Sequence, residues 1–594
     1  MPNKKIVIAA ILAGVSTPTA AENGTVEPII VTATRTAQTV DGTLASVTVI
    51  DRDAIASSHS NTLFELLQSR TVGLDISRTG GPGSSSSIYL RGSESDHVLV
   101  LIDGVRVASV TTGSFNWAGI SPEQIERIEI VRGPNSTLYG SEAIGGVIQI
   151  FTRKGDGMYA SLTGGSYRTG KASVGTDGQL GGGRIHINFS HEQDEGFSST
   201  SSESSRFEAD RDGYRRSSVG AGLNLPLNAR TDLAVNLLHS SGRSDYDDSG
   251  YSDAYADTIN SSGEMRLDWQ ASDIWSQRFV FNASQDRYES HDSWPAEITT
   301  QRRGGNWQND LALGEASLLT LGLELQQDHG EITDNYNERI DNRAGFLQYQ
   351  WSGERFDLLI GGRSDDHSKY GRHNTGRLTL GSRLGAGRIY ASYATAFKAP
   401  TFNELYYPFY GNPDIEPEES TTTELGYRLG GLQASLYQTR VENLIQSDPL
   451  TWQAVNVGKA QLEGLELEYN HKLGQWQLGS GVTLQRSEDE KSGESLLRRA
   501  EKKLFFTARG PVSARTTLGI EANYTGPRED TTGFPAQRIE LSSYILLNLS
   551  ADYRMAKRWA LGGRIENLLD EEYELASGYN TAGASAYLTL SYRQ

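Results

Sequence analysis

Two acidic stretches carry the residues most suited to ion chemistry. One runs Glu208-Ala209-Asp210-Arg211-Asp212-Gly213; the other runs Asp245-Tyr246-Asp247-Asp248 and continues to Asp253 and Asp257. In an extended loop, carboxylates at every second position point the same way and repel. A hard cation such as Ca²⁺, which takes six to eight oxygen ligands, removes that repulsion. A solvated acidic face would read the same way. Ser84 to Ser87 and Thr111-Thr112-Gly113-Ser114 offer neutral hydrogen-bonding groups, although a serine run is also what a flexible loop contains. Gly165 to Lys171 imitates a phosphate-binding loop, but Ala172 stands where Ser or Thr is required and the context is strand and turn, so no nucleotide site is expected. His239-Ser240 has no triad around it, and no enzyme is expected. The absence of Cys removes disulfides, thiolate metal sites and thiol catalysis together. A net charge of −19, from 55 basic and 74 acidic residues, argues against nucleic acid.

The elements that must hold these groups change character along the chain. Lys4 and Lys5, an apolar run from Ile6 to Val15 and small residues to Ala21 have the layout of a secretory signal, so residues 1–21 are expected to be removed, taking the charge from −19 to −21. Residues 22–38 read as a tether around one β-prone island at Ile29 to Thr34. That island suits addition as a strand to a partner's sheet, or else forms the first strand of the next domain. Residues 39–155 read as a small α/β domain, with apolar runs at 47–50, 97–102, 128–131 and 147–151 and a helix over Thr62–Ser69. From Met158 onward the period is two: Ile185, Ile187 and Phe189 alternate with His186, Asn188 and Ser190, and Leu465, Leu467 and Tyr469 with Glu466, Glu468 and Asn470. Long polar segments at 198–212 and 244–258 and Tyr-rich flanks predict an all-β membrane protein, an antiparallel transmembrane β-barrel with one wet face. At roughly 20 residues per strand and connection, residues 156–594 supply about 22 strands. A lumen that wide must be filled, and the 39–155 domain is the available filler.

With that order in place, the motifs resemble the TonB-dependent outer-membrane transporters. Ile29-Ile30-Val31-Thr32-Ala33-Thr34-Arg35 is similar to the Ton box; Tyr89-Leu90-Arg91-Gly92, Leu101 to Arg106 and Ile128 to Ile148 resemble the plug; Ala396 to Pro400 and Asn567 to Tyr573 resemble late barrel segments. Within the family, Ser95 to Arg106, Tyr410-Gly411-Asn412-Pro413, Gly458-Lys459-Ala460 and Leu496 to Ala500 look like the cobalamin transporters. The resemblance implies a signal peptide, a periplasmic tether with its Ton box at 29–35, an α/β plug inside the lumen and a monomeric barrel in the lipid of a bacterial outer membrane. It implies active uptake of cobalamin (vitamin B12) or a related corrinoid, driven through TonB; a ferric siderophore or haem receptor is the alternative. A receptor that also signals would need a longer extension before Ile29 than Glu22 to Pro28. Carried over residue by residue, the calcium ligands would be Glu208, Asp210, Asp212, Tyr246, Asp247 and Asp257, with Ser198 where the family places an Asp. Cobalamin would touch Ser85, Ser87, Glu94, Thr112, Gly113, Asp248, Thr299 (or Thr300) and Arg498. TonB would pair with Ile29, Ile30, Val31, Thr32, Ala33 and Thr34, and Arg35 with Glu324 would lock the tether until ligand binds.

Overall fold

A computed structural model describes residues 29–30, 32–155, 157–448, 451–456, 458–533 and 536–594. The expected signal peptide, residues 22–28 of the tether and Val31 lie outside the described residues.

From Tyr159 onward, strands of alternating sequence pair with their neighbours in order, and the first, Tyr159–Gly165, closes on the last, Ser585–Arg593. The result is a closed, wholly antiparallel barrel of 22 strands. Closure leaves no open sheet edge, so each wall strand pairs on both sides with a neighbour in the wall, which a strand in lipid requires. The alternation sorts the two faces. Leu321, Leu323 and Leu325 of the strand Ser317–Ile332 point out, while Thr320 and Glu324 point in. Among the described residues no helix is long and apolar enough to cross a membrane. Short turns, such as those at 181–182 and 229–230, mark one end of the barrel, and the long loops at 198–211, 246–254 and 399–417 mark the other. Exposed Trp269, Trp275, Trp351 and Trp559 cluster near the short turns, where an amphipathic ring meets the lipid boundary.

Inside the barrel sits a five-stranded sheet. Val47–Ile50, Ile125–Arg132, Gly146–Thr152, Val98–Ile102 and Val105–Arg106 lie in that spatial order, with one parallel pairing. Four of these are the apolar runs legible in the sequence. The helix expected over 62–69 is Leu63–Gln68, and it buries Leu63, Phe64, Leu66 and Leu67 against this sheet's core with Ile128, Ile130, Ile148 and Ile150. A hairpin of Leu74–Arg78 and Ser86–Leu90 projects the serine run toward the long-loop end.

Buried ion pairs fasten this domain to the wall. Arg91 reaches Glu424 at 2.9 Å and Glu466 at 2.8 Å, and Arg132 shares Glu466 at 3.1 Å. Charges this deep persist only when paired, so the wet face of the barrel serves as the plug's counter-charge.

Candidate functional site

At the long-loop end the structure brings together three of the six expected calcium ligands. One carboxylate oxygen each from Asp210, Asp212 and Asp247 lies within 4.8 Å of the others. Asp247 is buried. Its Oδ2 accepts from the Thr200 backbone amide at 2.9 Å, while its Oδ1 has no hydrogen-bond partner. Such a buried oxygen suits a cation ligand. Burial, with repulsion from Asp247, pushes the Asp210 carboxyl above the ordinary carboxylate range; Glu208 rises through its partial burial and the nearby Asp210. Ser198 joins the group, its Oγ donating to the Thr200 and Glu208 carbonyls at 3.2 and 3.1 Å.

Of the three expected ligands outside that group, Glu208 lies beside Asp210, and Tyr246 and Asp257 lie elsewhere. Tyr246 donates to Asp292 at 2.5 Å. Asp257 is not a loop residue: the strand Tyr255–Ser272 begins before it, and its side chain forms a bidentate pair with Arg243, both contacts at 2.8 Å. Its neighbours Ala256 and Glu264 face the lumen, so Asp257 stands on the outer wall, away from Asp212 and Asp247. Period two corrects this assignment: one residue along a strand changes the face.

The plug's apex carries the expected cobalamin contacts. Ser85 is exposed and Ser87 half-buried on the projecting hairpin. Arg498 crosses from a barrel loop to that hairpin, donating to Asp530 at 2.9 Å and to Ser77, which lies opposite Ser87, at 3.4 Å. Thr112 and Gly113 form a second apical turn. Gly113 has a positive φ of 75°, and a Cβ there would come within 2.6 Å of Asp96, so only glycine fits. The short helix Phe402–Tyr406 caps this turn through Phe402 N to Val110 O and Asn403 N to Thr111 O, both 3.0 Å. Asp248 accepts from the Ser293 amide at 2.9 Å on the loop above. Thr300, rather than Thr299, meets the plug: its hydroxyl contacts Ser109 and Thr111, each at 2.9 Å, and Thr299 takes the opposite face.

Sequence reasoning missed the counter-charges. Glu94 pairs with Arg499 at 2.7 Å, and Arg499 also stacks over Tyr89 at 4.0 Å. Fully buried Asp530 holds Arg498. Lys398 is enclosed by Asp96, Glu404 and Glu418 at 2.6, 3.3 and 3.3 Å. A lysine inside the run Ala396 to Pro400 was the one available signal, since a lone cation among apolar residues is usually a paired, buried one.

Below the plug, Ile29–Ile30 pairs antiparallel with Gln38–Thr39, so the tether folds back on itself. Thr32 donates from its amide and hydroxyl to Glu129 at 2.9 and 2.6 Å, and Gln348 of the wall donates to the Thr34 carbonyl at 3.3 Å. Arg35 lies 3.1 Å from Glu324, between the rings of Tyr139 and Phe346 at 4.6 and 5.0 Å. The paired His239 and Ser240 of the sequence are on opposite faces, His239 exposed and Ser240 buried, so they form no catalytic pair.

Comparison with known proteins follows the same division. Residues 39–147 match the family described as TonB-dependent Receptor Plug Domain, and residues 152–568 match TonB dependent receptor-like, beta-barrel. The chain is 30% identical over 618 residues to "Vitamin B12 transporter BtuB" of Photobacterium profundum, covering 99% of this chain and all of that one. It is also 30% identical over 628 residues to the protein of that name in Vibrio vulnificus, covering 99% of each. Among solved structures, the siderophore receptor PirA of Acinetobacter baumannii superposes with a TM-score of 0.80 at 16% identity, over 92% of this chain and 98% of that one. The ferric-catecholate import receptor Fiu of E. coli K12 superposes with 0.79 at 16%, over 94% and 98%. At such identity these two share the fold alone.

Proposed function

This chain belongs to the TonB-dependent receptor family of the bacterial outer membrane, whose members bind a substrate and interact with TonB, and we propose that its substrate is cobalamin or a related corrinoid. The observation that carries the proposal is the 30% identity to B12 transporters over essentially the whole chain. The chemistry of the apex supports it. Cobalamin presents many neutral amides, and the apical turns present hydroxyls. Three cations beside them, Arg498, Arg499 and Lys398, are each already matched to a carboxylate. An anionic ferric siderophore would favour unmatched cations instead.

In this reading a calcium ion held by Asp210, Asp212 and Asp247, with oxygen from Glu208, would order the loops at 198–211 and 246–254 over the bound ligand. When bound, such an ion supplies charge neutralisation and loop order, and takes no part in chemistry. Energy would enter through Ile29 to Thr34, adding to TonB's sheet once the Arg35–Glu324 pair opens. Calorimetric titration of the purified protein with cyanocobalamin tests the substrate. Binding at micromolar ligand, tightened by calcium, is expected. Failure to bind in calcium would transfer the assignment to a ferric siderophore, and calcium independence would remove only the role of the ion.

A further inference from the structure

We propose that the periplasmic rim beside the barrel seam is a docking surface for an acidic soluble protein, one that collects the substrate as it leaves the lumen. The inference rests on the uptake reading above and not on which substrate is carried. The short-turn end is the end that holds the tether: Arg388, beside the turn at 385–386, donates to the carbonyls of Asp41 and Gly42 at 3.3 and 3.2 Å. Away from the tether on that rim, the turns at 512–515 and 555–558 and the last strand bring together exposed Arg515, Arg554, Lys557, Arg558 and Arg593.

Strand parity turns these arginines to the lumen side. Tyr553 and Trp559, 44% and 45% exposed, face outward, while Asp552 pairs with His59 of the plug at 2.7 Å. Arg554, two residues after Asp552, shares its face, and the Arg554 amide donates to the Arg515 carbonyl at 2.8 Å. The Arg593 amide donates likewise to the Arg558 carbonyl at 2.9 Å. Two pairs of like charges therefore stand opposite each other, an arrangement that repels. Among the described residues Arg515, Arg554, Lys557 and Arg558 make no ion pair, whereas Arg509 and Arg564, deeper in the same wall, each hold a carboxylate. Arg593 also lines a cavity of about 440 Å³ between plug and seam, with Arg52, Arg153, Lys171 and Arg509. Its carboxylates are fewer: Asp53, Glu123 and Asp552, of which Asp552 is shared by His59 and Arg509, and Glu123 accepts from Ser121.

These features select the partner. A lipid head group would meet the outward face, which carries the aromatic rings, and the arginines take the other. A small anion would answer one opposed pair, but the patch runs from the strand Thr516–Thr525 to the strand Ser585–Arg593, a breadth suited to the carboxylates of a protein surface. The tether meets Glu324, Gln348 and Arg388, on strands about halfway round the ring from the seam, so TonB and a second protein have separate places to stand. Substrate released through the space between plug and seam would emerge beside this patch.

The test uses the full-length protein in phosphatidylcholine nanodiscs, with fluorescein-labelled poly-L-glutamate as the acidic probe and anisotropy as the readout. Salt-sensitive binding is expected, weakened about tenfold in the double variant Arg515→Gln, Arg554→Gln. Arg383→Gln, which removes an exposed arginine on the tether side of the same rim, should leave it unchanged. Heat-modifiable gel mobility verifies that each variant is a folded barrel. No binding by wild-type protein, equal binding by the folded double variant, or an equal loss in Arg383→Gln would each overturn the proposal. Loss of poly-L-glutamate binding in nanodiscs doped with phosphatidylglycerol would assign the patch to lipid and overturn the protein partner. In cells, the double variant is expected to take up radiolabelled cyanocobalamin about fivefold more slowly than wild type while binding it equally at the surface. Unimpaired uptake would overturn the hand-over. Absence of cyanocobalamin binding by wild-type cells would instead sink the corrinoid assignment, and the anisotropy titration, which needs no substrate, would still decide the docking surface.

Discussion

Asp247 shows how one side chain can be stable only in company. Its Oδ2 is satisfied by Thr200, and its Oδ1 is buried without a partner beside two more carboxylates. Unneutralised, that arrangement opposes folding of the loop; with a divalent cation it becomes a ligand set. Asp247→Asn is therefore expected to weaken calcium binding by at least about tenfold in a calorimetric titration, while leaving the calcium-free loops no less stable than before. Asp257→Asn is the paired control, because Asp257 already belongs to Arg243 on the other face. If the two variants lose calcium equally, the three-carboxylate site is wrong and the six-residue set implied by resemblance is right.

At the level of elements, the strand is the unit that assigns chemistry. Every second residue of Ser317–Ile332 meets lipid, and the residues between meet the plug, so Leu323 at 57% exposure and Glu324 in its ion pair are neighbours in sequence with opposite surroundings. Leu323→Lys is expected to destabilise the barrel by about 2–4 kcal/mol if Leu323 lies near the bilayer midplane, measured by reversible unfolding in lipid. A change below about 0.5 kcal/mol would place this row outside the hydrocarbon. The same parity sets Asp257 apart from the three-carboxylate cluster and, of the two threonines left open, turns Thr300 to the plug. Both outcomes arise because a family resemblance carries residues across as points along a chain, whereas a strand makes adjacent points face opposite ways.

Across the whole molecule, charge is the fastening between domains. Arg91, Arg132, Arg302 and Lys398 meet carboxylates across the plug and barrel boundary, at Glu466, Glu142 and Asp96 among others. Arg35 extends this pattern to the tether, where one guanidinium lies between two rings and pairs with Glu324; under the proposed function this segment would have to leave to reach TonB. Arg35→Ala is expected to raise the mobile fraction of a nitroxide at position 30 roughly tenfold without ligand. The chain has no native cysteine to compete for the label. Spectra unchanged from the unmutated tether would sink the lock.

The order of tether, plug and barrel, the closed antiparallel architecture and the approximate strand number were legible in the sequence because they depend on periodicity, and periodicity is a local property of residue types. The plug's sheet and the helix Leu63–Gln68 were legible for the same reason. Which acids meet, which cations are matched and which residues face lipid depend instead on register across the barrel wall. Arg215 and Arg243 are 28 positions apart and opposite each other; Arg91 and Glu466 are separated by 375 positions and touch. Hydrogen bonding closes those distances only after the barrel does, so the sequence by itself determined what kind of protein this is, and the tertiary structure decided which of its charges meet one another and which face outward.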